Sequence, residues 1–119
     1  MANNYISRRL ASFGHAFNGI AAFVRREPHA RIHAVATIAV VAAGCWCRLS
    51  TAEWCWIILA IALVWVTEMI NTVVEKIMDH LSPEYHRNVK FIKDVAAGAV
   101  LIAAIAAAVI GALIFIPHL

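Results

Sequence analysis

Glu68-Met69-Ile70-Asn71-Thr72-Val73-Val74-Glu75 closes an apolar run that begins at Trp54, and Asp79 follows one turn later. Residues 54–67 carry no charge at all, and then two carboxylates arrive seven positions apart. A helix turns by about 100° per residue, so Glu68, Asn71, Glu75 and Asp79 fall on one narrow face. Carboxylates in or beside a membrane-grade helix are costly and usually functional. A helix end that merely met water would need no such one-sided arrangement.

Working outward, the rest of the chain is built for lipid. Its 119 residues fit one domain, 1–119. A hydrophobic content of 63%, only 14% charge and a mean hydropathy of +0.79 leave too few polar residues to coat a soluble globule. These values point to an all-α integral membrane protein. The start Met1-Ala2-Asn3-Asn4-Tyr5 lacks the charged-then-apolar pattern of a cleaved signal, so none is expected. Cys45, Cys47 and Cys55 lack partners at zinc-site spacing and read as small apolar fillers.

Residues 5–26 place Leu10, Phe13, Phe17, Ile20, Ala21 and Val24 on one stripe, with Arg8, His15, Asn18, Arg25 and Arg26 off it. A basic amphipathic helix of this kind lies in the membrane interface. Pro28 marks the start of a new helix. Three transmembrane helices are expected at 30–48, 53–79 and 88–117, the last containing a charge-free run from Val95 to Pro117. Arg48 to Glu53 is expected to be a tight turn. The uncharged part of the second span rises only about 21 Å against a hydrocarbon core of about 30 Å, which puts Glu68 near the far interface.

Charge gives the orientation. Of the 10 basic residues, Arg8, Arg9, Arg25, Arg26 and Arg31 precede the first span, Lys76, Arg87, Lys90 and Lys93 flank the second polar segment, and Arg48 alone lies between the first two spans. Lys and Arg accumulate in cytoplasmic loops. The N-terminus and the 76–94 segment are therefore expected in the cytoplasm of a cell with an inner membrane, and the C-terminus outside. This distribution also explains the net charge of +3 without nucleic acid.

Glu27, Glu68, Glu75, Lys93 and Asp94 then share one membrane face. Carboxylates there suit Mg²⁺, which takes one or two of them together with substrate phosphates. Lysine suits phosphoryl charge, and a further carboxylate suits the proton of an attacking hydroxyl. No Walker A or protein-kinase glycine-rich pattern is present. A channel subunit would carry its polar face through a whole span, whereas this one stops at the end; a structural adaptor would have no use for Glu68.

The order Glu27…Arg31-Ile32-His33, Glu53-Trp54, Glu68-x-x-Asn71-x-x-x-Glu75-x-x-x-Asp79, Ser82-Pro83-Glu84-Tyr85-His86 and Lys93-Asp94-x-Ala96-Ala97 resembles the small prokaryotic integral-membrane diacylglycerol kinase and undecaprenol kinase family. The resemblance implies a homotrimeric helical bundle with active sites shared between subunits, and transfer of the γ-phosphoryl of ATP to a lipid hydroxyl. It implies Glu68 as general base, with Asn71 orienting the base or the hydroxyl. Glu27 and Glu75 match the Mg²⁺ ligands on the ATP phosphates, and Lys93 and Asp94 the nucleotide contacts. Glu84, Tyr85 and His86 fall near the adenine or ribose. Arg8 matches an arginine near the phosphates, and His15 stands where some members carry an aromatic residue near the nucleotide. The Ser82–His86 tract, the run from Asp94 to Leu101 and the Ile116-Pro117 ending look more like the undecaprenol branch, with diacylglycerol as the alternative acceptor.

Overall fold

The computed structural model describes residues 2–84 and 86–119. Four α-helices follow one another: α1, Ala2–Arg26; α2, Pro28–Cys47; α3, Thr51–Leu81; and α4, Arg87–Phe115, which runs into a 3-10 turn at Ile116–His118. The described residues contain no strand. They form two compact units, Met1–Ala36 and Thr37–Leu119, with α2 contributing to both. This is the all-α architecture expected from the sequence, an N-terminal helix followed by three long apolar ones.

In the first unit, α1 displays Leu10, Phe13, Phe17 and Ile20 on its surface, which is the apolar stripe read from the sequence. Arg25 and Arg26 close it, placing positive charge on the negative end of the helix dipole. Glu27 is the one residue between α1 and α2 that is not helical. Its N–H donates to the Phe23 carbonyl at 3.0 Å, while its own carbonyl accepts from Ala30 at 3.1 Å. Pro28, whose missing N–H costs nothing at a first helical position, opens α2.

In the second unit, α2 ends on Arg48, whose φ of 55° is left-handed. Arg48 donates to Cys45 at 3.3 Å and Leu49 to Gly44 at 3.2 Å, the paired bonds that satisfy the last carbonyls of a helix closed by a Schellman motif. Arginine is an uncommon residue there because its Cβ crowds the backbone. The next helix starts earlier than the sequence indicates. Ser50 caps it, its Oγ accepting from Glu53 N–H at 3.2 Å, and Ser50 N–H returns a bond to Glu53 Oε1 at 2.9 Å. This reciprocal box draws Thr51, Ala52 and Glu53 into the first turn of α3, so the connection shrinks to Arg48–Ser50.

α3 and α4 pack as an antiparallel pair. Leu49, Ile57 and Ile114 form the buried cluster, with Val40, Trp54, Ile61 and Ile110 against it. Gly44 is buried under Trp54: a methyl group at its Cα would lie 2.5 Å from the indole. Beyond the Schellman turn, His118 Nε2 lies 2.9 Å from Glu53 Oε2, fastening the C-terminal turn to the start of α3. Elsewhere large apolar side chains such as Ile38, Leu59, Leu101 and Leu113 stand exposed. Pro28–Cys47, Thr51–Leu81 and Arg87–His118 are each long and apolar enough to cross a bilayer. Lipid is the solvent for that surface, and helices satisfy their own backbone groups within it. Cys45, Cys47 and Cys55 are free thiols, Cys45 and Cys55 exposed and Cys47 half-buried.

Candidate active site

The polar face of α3 begins one turn after a perturbation of its own ladder. Thr67 Oγ1 donates to the carbonyls of Leu63 at 2.9 Å and Val64 at 3.1 Å. Glu68 comes next and is half-buried. Asn71, also half-buried, donates from Nδ2 to Glu75 Oε1 at 3.3 Å. The bond fixes which way the amide points. Asn71 Oδ1 is thereby buried with no hydrogen-bond partner. Buried polar atoms are nearly always satisfied, so an orphaned carbonyl oxygen beside two carboxylates marks a place for a donor or a cation. Among the described residues no three His, Cys, Asp or Glu side chains converge on one point. A cation held mainly through phosphate oxygens needs no such cage, and the hard oxygen donors of Glu75 and Asn71 fit one.

At the same end of the α3–α4 hairpin lies a pocket of about 350 Å³ lined by Ser82, Glu84, His86, Lys90, Lys93 and Asp94. Four of the expected nucleotide residues, Glu84, His86, Lys93 and Asp94, thus come together here. Tyr85, the fifth, lies outside the described residues. His86 caps α4, its Nδ1 accepting from Asn88 N–H at 3.1 Å. With Nδ1 committed as acceptor, the neutral ring carries its proton on Nε2 and offers a donor.

Both lysines of the pocket meet carboxylates. Lys90 pairs with Asp94 one turn along α4, and Lys93 pairs with Asp79 of α3. Neither Lys90 nor a partner for Lys93 emerges from motif reading. The first pair is visible as an i, i+4 spacing; the second depends on the register of the hairpin, which no local pattern encodes.

The remaining expected residues, Arg8, His15 and Glu27, belong to the first unit. Arg9 is engaged, its guanidinium 5.2 Å from the Tyr5 ring centroid and its Nε donating to Tyr5 Oη at 3.2 Å. Among the described residues the Arg8 guanidinium has no such partner, although its carbonyl accepts from Ser12 Oγ at 2.9 Å. Glu27 is half-buried at the break between the helices.

A helical membrane chain with carboxylates, an orphaned amide oxygen and a lysine-lined pocket at one end invites comparison with phosphotransferases. The profile of the prokaryotic diacylglycerol kinase family matches residues 14–115. The chain belongs to that family. The kinase is 39% identical over 116 residues to the undecaprenol kinase of Bacillus subtilis, covering 98% of this chain and 94% of that one. It is 35% identical over 111 residues to a diacylglycerol kinase of Synechocystis, covering 92% and 63%. The diacylglycerol kinase of Escherichia coli K12 is 29% identical over 120 residues, covering 99% and 98%. The protein is therefore a multi-pass membrane enzyme, a lipid kinase, and the channel and adaptor readings fall away.

Proposed function

We propose that the kinase transfers the γ-phosphoryl of ATP to the hydroxyl of undecaprenol, giving undecaprenyl phosphate. The observation that carries the reading is that α3 bears the Glu68–Asn71–Glu75 face in the half that leads to a pocket holding Lys90 and Lys93. A membrane-bound alcohol and a water-borne nucleotide can meet only at such a boundary. Higher identity to the undecaprenol kinase than to the two diacylglycerol kinases, 39% against 35% and 29%, favours the polyprenol. The second reading, diacylglycerol giving phosphatidic acid, draws on those two relatives.

In this mechanism Glu68 accepts the proton of the acceptor hydroxyl as its oxygen attacks the γ-phosphorus and the β–γ bridging bond breaks, releasing ADP. Asn71 orients that carboxylate or the hydroxyl. Glu27 and Glu75 supply protein oxygens to Mg²⁺, which when bound would neutralise the developing charge on the phosphates. Lys93 and Arg8 counter phosphoryl charge, with Asp94 also on the nucleotide. Glu84, Tyr85 and His86 hold the adenine or ribose, His86 through its Nε2–H. His15 stands at the rim of the nucleotide site.

The same reading gives a homotrimer in the inner membrane with sites built from neighbouring subunits. One chain's surface helix and three spans are too small to enclose a nucleotide and a lipid head group together. Ala96, Ala97 and Gly98 offer small side chains for close helix contact. The distribution of Lys and Arg puts the N-terminus and the pocket in the cytoplasm and the C-terminus outside. Phosphorylation of undecaprenol and of diacylglycerol, assayed side by side in detergent micelles with MgATP, tests the assignment. Faster turnover of diacylglycerol would replace the first reading by the second, and turnover of neither would end both.

A further inference from the structure

Trp65 Nε1 of α3 donates to Thr37 Oγ1 of α2 at 2.8 Å, between residues 28 apart in sequence. Both are half-buried within charge-free stretches of apolar helices. An indole N–H is a donor only, and in hydrocarbon it has to find a partner. Phenylalanine would fill the same space with no polar atom to satisfy. Hydrogen bonds between membrane helices add little stability on average, so the pair calls for a reason other than holding α2 to α3.

Its position supplies one. Trp65 stands one turn before Glu68, about 4.5 Å along the axis and about 60° around it. The side chains of that turn are less deeply buried than those near the helix start. The buried residues of α3 are Ile57 and Ala60, both nearer its start, and none of its described residues past Ala60 is buried. Thr67 back-bonds to the carbonyls of Leu63 and Val64, a pattern that loosens and bends a helix. Glu68, Asn71 and Glu75 therefore ride on a length of helix that has no fully buried side chain and that an internal hydroxyl perturbs. The Trp65–Thr37 bond ties that length to α2 immediately ahead of them.

We propose that Trp65, through Thr37, is a positioning residue that sets the rotation of α3 and so aims Glu68 at the acceptor hydroxyl. This rests on the reading of Glu68 as the base. Misaiming by a fraction of an ångström is enough to slow the chemical step without loosening substrate binding.

The test compares wild type, Thr37→Val, Trp65→Phe, their double variant and Thr37→Ser in micelles, with MgATP and undecaprenol or diacylglycerol. Thr37→Val and Trp65→Phe should each lower kcat about 10-fold and leave KM for ATP within about two-fold. The double variant should fall no lower than the weaker single, and Thr37→Ser should recover wild-type turnover. In ¹⁵N-indole spectra the Trp65 Nε1–H resonance should shift in Thr37→Val and stay in place in Thr37→Ser. Should Thr37→Val not fold, Thr37→Ala enters the same comparison. Wild-type kcat in both singles, independent losses that add in the double variant, or an unmoved indole resonance overturns the proposal. A wild type inactive on both alcohols instead removes the base reading, and this proposal with it.

Discussion

The Lys93 ammonium on α4 is paired with the Asp79 carboxylate on α3, bridging the two helices beside the pocket that follows them. Their side chains are 36% and 61% exposed, and pairs so open to solvent contribute about 0–1 kcal/mol. The pair's value lies in where it holds the lysine. Replacing Lys93 by Met should change stability by less than about 1 kcal/mol, measured by thermal melting in micelles. Hydrogen bonds to charged groups are worth about 1.5–3 kcal/mol. KM for ATP should therefore rise about 10- to 100-fold, which a nucleotide titration of lipid phosphorylation reads directly.

Glu68→Gln keeps the shape of the side chain and removes its capacity to take a proton. Phosphoryl transfer should fall by about 10²–10⁴-fold, while nucleotide binding, followed by equilibrium dialysis of labelled ATP, stays near wild type. Substantial residual turnover would assign the base elsewhere.

Glu27→Gln and Glu75→Gln each remove one charged oxygen donor. Because Mg²⁺ takes few protein ligands, either change should move the Mg²⁺ dependence of turnover to higher concentration, with partial recovery at raised Mg²⁺. Glu75→Gln should also disturb the Asn71 amide, since Glu75 Oε1 is its acceptor at 3.3 Å. A variant with unchanged Mg²⁺ dependence is not missing a ligand.

Sharing of sites between subunits is tested by mixing. Inactive Glu27→Gln chains and inactive Glu68→Gln chains, dissociated and reassembled together, should regain part of the activity. Proven mixed assemblies that remain inactive would require each subunit to carry a complete site of its own.

Far from the chemistry, Gly44→Ala places a methyl 2.5 Å and 2.9 Å from two carbons of the Trp54 indole. A ring that large cannot yield without disturbing the Leu49–Ile57–Ile114 cluster it packs against. Overpacking of this kind costs about 1–3 kcal/mol, visible as a lower melting temperature with the Mg²⁺ and ATP dependence unchanged.

The helices were legible because their determinants are local. Charge-free runs and Pro28 after Glu27 each act within a few residues, whereas the equally local Ser50-x-x-Glu53 box reads in the sequence as part of a turn. The left-handed end of α2 was not, because glycine normally announces it and Arg48 takes its place. The one-sided face of Glu68, Asn71 and Glu75 followed from helical spacing alone. Gathering Glu84, His86, Lys93 and Asp94 around one pocket depended on family resemblance, since they come from a loop and a helix start. The Asp79–Lys93 and Thr37–Trp65 bonds escaped sequence reading because each depends on how two helices slide past one another.

The α3–α4 hairpin is closed differently at its two ends. At the Trp54 end lie the buried cluster, the Schellman turn and the His118–Glu53 contact. At the Asp79 end the helices are joined by the 82–86 connection and by the exposed Lys93–Asp79 pair. Mechanically this is a clamp, tightened by packing at the end the backbone leaves unjoined and tethered by backbone and charge at the other. Amide exchange along α4 should accordingly slow from Lys90 towards Ile110.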